Sequence, residues 1–185
     1  MIAVKPLSTA ELEAGLDHFR QAPKDEGVWE LIVRRPQAGE REILPEGQLD
    51  LAEGLVGDNW RARGSRMTDD GSAHPEMQLN LMNSRVIAHI AQGADRWQLA
   101  GDQLFVDMDL SKANLPAGTR LAIGTAVIEV TPVPHNGCAK FVERFGADAM
   151  KFVNSPVGKE LCLRGINAKV VQPGTIRAGD RVTKL

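Results

Sequence analysis

Apolar positions recur at two different spacings along the chain, and each change of spacing marks a new element. Leu12, Leu16 and Phe19 follow a helical period behind Ser8 and Thr9, so a capped N-terminal helix is expected there. "GVWELIVRRP" is rich in β-branched and aromatic residues and runs into Pro36, the pattern of a strand that stops. "GEREILPEGQLDLAEGLVGDNW" predicts short strands broken at Pro45, Gly47, Gly54 and Gly57. The polar stretch "RARGSRMTDDGSAHPEMQ" predicts a mobile loop, longer than most connections and therefore a candidate functional segment. A helix over "NSRVIAHIAQGADRW" follows, capped by Asn83 or Ser84, with Val86, Ile87, Ile90 and Trp97 near one face. His89 falls inside that apolar pattern and reads as a core or boundary histidine, since no other ligating residue accompanies it.

Beyond residue 100 the period drops to two. Leu104, Val106 and Met108 alternate with Phe105, Asp107 and Asp109. "GTRLAIGTAVIEVTPV" predicts two strands around Gly124 and Thr125. "INAKVVQPGTIRAGDRVTKL" predicts more, with turns at Pro173-Gly174 and Ala178-Gly179-Asp180. Many short strands with few helices give a mainly β fold of the α+β kind, a barrel with a few peripheral helices. The domain reading is an N-terminal helical extension over 1–27 and a barrel over 28–185.

Composition narrows the function classes. The 185 residues are 43% hydrophobic and 25% charged with a net charge of −2, ordinary for one globular domain with its own core. No basic run suits a nucleic-acid backbone, and no apolar run approaches the ~18 residues that span a bilayer. The N-terminal segment lacks a signal-peptide core. The two cysteines form no disulfide framework, so a cytoplasmic, reducing setting with free thiols is expected.

Candidate chemistry centres on "PVPHNGCAKFVERFG". Phe141, Val142 and Phe145 predict a buried helical stripe, and Gly146 ends or bends that helix before a second piece through Met150 and Phe152. Asn136 is the expected N-cap, which puts Cys138 in the first turn, where unpaired N–H groups and the positive dipole end favour a thiolate. Lys140 adds a cation. Cys138 as a small buried hydrophobe is the competing reading, and the residues alone leave the two open. A zinc site with His135 and Cys138 as one arm lacks a second arm, because Cys162 stands alone in "LCLRG", which reads as a structural strand. CxxC redox chemistry lacks its second cysteine.

The ordered set "GLVGDNW", "GDQL", "AGTRLAIGTAVIEVT", "CAKFVERFG", "LRG" and "PGTIRAGDRV" resembles the MOSC domain family, named for the C-terminal part of molybdenum-cofactor sulfurase. The resemblance runs from about residue 28 to the end and implies a β-barrel core. It also implies a cysteine, here Cys138, that ligates molybdenum held by the pterin (molybdopterin) or carries sulfur as a persulfide. Lys140 and Arg164, with His135 and Asn136 nearby, would bind the cofactor, and Arg63 or Arg66 could close over it. The implied function is reduction of N-hydroxylated compounds, with electrons from a separate reductase. A sulfur carrier or sulfur transferase, and a non-catalytic small-molecule-binding barrel, are the alternatives. Where many members have a histidine after the first Gly-Asp, this chain has Asn59-Trp60. Where the family has Glu-Asn, it has Asp102-Gln103. No lysine stands apart as a Schiff-base position, so pyridoxal phosphate is not expected.

Overall fold

The computed structural model describes residues 4–185. Two short helices, α1 (Thr9–Glu13) and α2 (Leu16–Arg20), come first. Strands β1 (Glu26–Arg34), β2 (Glu42–Leu44), β3 (Glu46–Asp50) and β4 (Gly54–Leu55) lead to helix α3 (Trp60–Arg63). Strand β5 (Leu79–Asn83) runs into α4 (Ser84–Ala91), and β6 (Leu104–Asp107), β7 (Arg120–Ile123) and β8 (Ala126–Val130) follow. Three helices, α5 (Ala139–Phe145), α6 (Ala147–Val153) and α7 (Pro156–Glu160), precede β9 (Ile166–Gln172), β10 (Gly174–Arg177) and β11 (Arg181–Lys184).

Seven strands close a barrel in the order β1-β11-β7-β8-β9-β5-β6 and back to β1. Within that ring only β5 and β6 run parallel. Strand β1 is long enough to pair with β11 at Glu26–Val28, with β6 along its middle and with β2 at its end, so it leaves the ring without an open edge. A second sheet, β10-β3-β4, stands beside the barrel.

The side-chain period of two sorts apolar residues into two cores. Leu79 and Leu81 of β5 and Leu104 and Val106 of β6 fill the barrel with Trp29, Ile32, Ile128 and Val182. Met82 and Phe105, on the opposite face of the same strands, meet Leu12, Phe19, Ile87, Phe141, Phe145 and Phe152 from the helices. Both faces of β5 and β6 are therefore covered, and residues of either parity on these strands are buried.

Two helical expectations are corrected. The first helix is split at Ala14 and Gly15, and the Phe19 and His89 rings occupy the place a Cβ on residue 15 would need, so only glycine fits there. His89 sits at this boundary, edge-on to Phe19 with its Nε2 2.9 Å from Glu11 O. Asn83 caps α4 by accepting from Arg85 N and Val86 N, and Gln92 at φ 58° ends it, so Trp97 lies on a separate 3-10 segment (Ala94–Ala100). The polar loop carries local structure: α3 buries Trp60, Thr68 Oγ1 donates to Ser65 O and Ser72 O, and a 3-10 turn spans Pro75–Met77.

A buried polar cluster joins the parts. Arg35, just past β1, makes a bidentate pair with Asp58 (Nε–Oδ2 2.8 Å, Nη2–Oδ1 2.8 Å) and donates through Nη1 to Asn80 Oδ1 and Gly101 O. Both side chains are at most 5% exposed. Asn80 and Asn167 are register partners of β5 and β9, and Asn80 Nδ2 donates to Asn167 Oδ1 at 2.7 Å. Gln103 accepts from Asn80 N and donates to Gln78 O and Asp58 Oδ1. Removing one member of such a buried pair leaves the other charge without a partner. Asp58→Ala is expected to cost about 3–5 kcal/mol in denaturant unfolding. Glu26→Ala, which breaks the exposed pair with Arg181, should leave the unfolding midpoint unchanged within error.

Candidate functional site

Where β8 ends and the chain returns to β9, a cavity of about 560 Å³ opens between the 115–117 turn, the 130–136 segment and the 158–166 turn. Its walls combine Leu115, Val130, Val133, Val153 and Ile166 with Lys112, Lys159, Arg164, His135, Asn136 and Cys162. Neither aspartate nor glutamate is among the lining residues. Lys112 and Lys159 are exposed, whereas the Arg164 side chain is only 7% exposed.

Arg164 donates to Asp102 Oδ2 at 2.6 Å and to Ala100 O at 3.0 Å, and its guanidinium lies 5.0 Å from the centroid of the Phe141 ring. Asp102 is wholly buried, so it offsets the arginine charge, and the excess positive charge of the cavity lies with the two lysines. His135 stands on the other oxygen of that carboxylate, with Nδ1 3.4 Å from Asp102 Oδ1; neither atom makes a well-formed hydrogen bond. The ring is 13% exposed. Burial, reinforced by Arg164, pushes the His135 pKa down to about 3 despite the opposing pull of Asp102. A neutral ring with Nδ1 turned toward a carboxylate leaves Nε2 to accept a hydrogen bond from a ligand.

The sequence-derived candidates separate. His135, Asn136 and Arg164 line the cavity; Cys138, Lys140, Arg63 and Arg66 do not. Cys138 is exposed and is itself the N-cap of α5, in extended conformation, its carbonyl accepting from Phe141 N and Val142 N. The expected cap, Asn136, lies two residues earlier, so Cys138 precedes the first turn instead of belonging to it. Cys162 is not on a strand. Helix α7 ends in a Schellman turn, with Leu163 N donating to Gly158 O at 2.8 Å and Cys162 at φ 50° in the position glycine usually takes. The alternation of Leu161, Cys162 and Leu163 comes from that turn. Burial raises the Cys162 pKa and keeps it a thiol. Both cysteines are free, and among the described residues no group of three His, Cys, Asp or Glu could hold a metal ion. Lys112, Lys159 and the Asp102–His135 contact were not foreseen. The presence of Gly101-Asp102 and "LRG" in one ordered set pointed only to the Asp102–Arg164 pair, not to these groups.

A closed seven-stranded barrel with helices over one face and a cation-rimmed cavity defines the class. The MOSC domain profile matches residues 68–183, and the chain belongs to that family. No curated protein matches the chain. Among solved structures, the YuaD protein from Bacillus subtilis aligns with a TM-score of 0.61 at 15% identity, over 86% of this chain and 95% of that one. YiiM from Escherichia coli aligns with a TM-score of 0.54 at 20% identity, covering 85% and 69%. YiiM from Geobacillus stearothermophilus gives 0.53 at 13%, covering 86% and 73%. At these identities the likeness is one of fold.

The cavity fits part of what the family implies. Its volume and apolar walls suit a heterocycle, and its lysines suit a phosphate. It does not bring a thiolate to a metal, since Cys138 is outside the wall and Cys162 is held neutral.

The titration of His135 has a definite sign. Its folded pKa is depressed, so below the ordinary value of 6.5 the unfolded chain takes up a proton that the native ring refuses. This contribution erodes stability as pH falls from 6.5 and levels off near 3, with a slope of up to about 1.4 kcal/mol per pH unit. Comparing denaturant unfolding of wild type and His135→Asn between pH 7 and pH 4 should show the variant losing less stability. In the wild type, the His135 ring resonances should not titrate above about pH 4.

Proposed function

We propose that this MOSC barrel binds an anionic small molecule in the cavity, with Lys112 and Lys159 at its mouth and His135, Asn136 and Arg164 against the ligand body. The observation that carries the reading is a lining with two lysines that no lining carboxylate offsets, beside an Arg164 already paired with Asp102. The pterin phosphate of the molybdenum cofactor is the ligand the family suggests. When bound, the cofactor would supply oxygen-transfer redox chemistry, and a separate reductase would supply the electrons. The chain's own residues would then hold the phosphate at the lysines and accept a hydrogen bond from the heterocycle at His135 Nε2. Ligation of the metal by Cys138, and with it reduction of N-hydroxylated compounds, is the part the placement of Cys138 supports least.

A second reading has its own observation. Cys138 is exposed at the tip of α5, where a protein partner can reach it, and a persulfide there could pass sulfur onward in a cytoplasmic setting.

The test is mass and metal analysis of protein purified from a host that makes the cofactor. A bound anion is expected in wild type and in Cys138→Ala, and it should be lost from Lys112→Gln/Lys159→Gln. Stoichiometric molybdenum that disappears in Cys138→Ala would overturn the binding-barrel reading in favour of the ligated cofactor. A persulfide mass increment on Cys138 without metal would support the carrier. A cavity that is empty in every preparation and insensitive to the lysine pair would refute the proposal.

A further inference from the structure

Four consecutive carbonyls, those of residues 98–101, each accept a hydrogen bond from a different arginine. Arg41 Nε donates to Gln98 O (3.2 Å), Arg144 Nη1 to Leu99 O (2.6 Å), Arg164 Nη2 to Ala100 O (3.0 Å) and Arg35 Nη1 to Gly101 O (2.8 Å). Arg35 and Arg164 have buried carboxylates as partners, Asp58 and Asp102. Among the described residues, Arg41 and Arg144 have no carboxylate partner within 4.0 Å, although both are half-buried.

These two guanidinium groups converge on one point. Gly101 has φ 91°, and a Cβ built on it would meet Arg144 Nη1 at 3.6 Å and Arg41 Nη2 at 3.7 Å, with no other neighbour within 4 Å. Absence of a side chain at Gly101 therefore keeps open a space flanked by two cations. Arg41 commits Nε to Gln98 O and Nη1 to Glu40 O, which leaves Nη2 toward that space; the Arg144 atom nearest it, Nη1, donates one hydrogen to Leu99 O and has a second N–H to offer. Burial first, and then the neighbouring Arg144 and Arg35, lower the Arg41 pKa, while Asp58 and Asp102 oppose the shift from a distance. The carbonyl anchors hold both forks in place before any ligand arrives, so little rotamer freedom is lost on binding. A tetrahedral oxyanion matches the forks and would relieve their repulsion.

We propose that Arg41 and Arg144 form an oxyanion site over Gly101 that takes a phosphate group. None of these three residues lines the cavity, so the site is independent of the cavity reading. The phosphate could be free or be the end of a larger molecule, and the probes below separate these sources.

The test is titration of wild-type protein with inorganic phosphate at low ionic strength, followed through the arginine Nε–Hε resonances. The Arg41 and Arg144 signals are expected to shift saturably, while chloride at matched ionic strength leaves them in place. Arg41→Gln and Arg144→Gln should each weaken binding about tenfold or more, and Arg181→Gln should not change it. If either variant fails to fold, the wild-type titration decides alone. No saturable shift of the two resonances up to roughly 20 mM phosphate, or equal shifts at the exposed Arg66 and Arg181, overturns the site. Phenyl phosphate then assigns the source. Affinity that depends on both the arginine pair and Lys112/Lys159 indicates the phosphate end of a cavity ligand. Dependence on the arginine pair alone indicates a free phosphate.

Discussion

The Arg35–Asp58 pair is the contact on which the barrel's functional end depends. Arg35 follows β1 and Asp58 follows β4, so one bidentate interaction fixes the exit of the long closing strand against the loop that carries Trp60. Neither charge is exposed enough to be satisfied by water, so each needs the other together with every neighbouring dipole. Asn80, Gly101 and Gln103 supply those dipoles, and through them the pair reaches β5, the turn before β6, and β9.

The same chain of hydrogen bonds ends at the cavity. Asn167, held by Asn80, donates to Val133 O at 3.0 Å and so anchors the segment that presents His135 and Asn136. From the other side, Asp102 and Arg164 fix one wall, next to Gly101, whose carbonyl Arg35 holds. Position and charge are thus set together. The carboxylate that orients Arg164 also faces the histidine, and the arginine helps keep that histidine neutral. The departures from the family's Glu-Asn at 102–103 make sense in these terms. The longer amide of Gln103 spans from Asn80 N to Gln78 O and Asp58, and the shorter Asp102 meets Arg164 at 2.6 Å.

Legibility in the sequence followed the range of the interaction. Alternation at Leu104, Val106 and Met108 reported a strand, and all three pack into the barrel core, because packing repeats every second residue. The helix stripe of Phe141 and Phe145 was equally local. Capping misled where two local signals competed. Asn136 is a strong cap type, yet its side chain belongs to the cavity wall and the extended Cys138 starts the helix. At Leu161–Leu163 a helix-ending turn imitated strand alternation, since one left-handed residue reverses the chain much as a pleat alternates it. The polar cluster left no pattern to read: Arg35, Asp58, Asn80, Gln103 and Asn167 are scattered along the chain, and only the barrel's closure makes them neighbours.

Closure also explains why arginine, and not lysine, surrounds residues 98–101. That segment leaves a 3-10 turn and enters β6 with its four carbonyls each met by an arginine, Gln98 O accepting from Gly101 N as well. A guanidinium can cap a carbonyl with one N–H and still offer a flat set of donors elsewhere, which an ammonium on a flexible stem does less well. Arg35 and Arg164 turn their remaining donors to Asp58 and Asp102. Arg41 and Arg144 perform the same structural task with donors left over and, among the described residues, with no carboxylate in direct contact beside Gly101. A requirement of the fold thereby supplies the donors of the proposed site: the arginines that satisfy the backbone at residues 98–101 are the ones that would recognise an oxyanion.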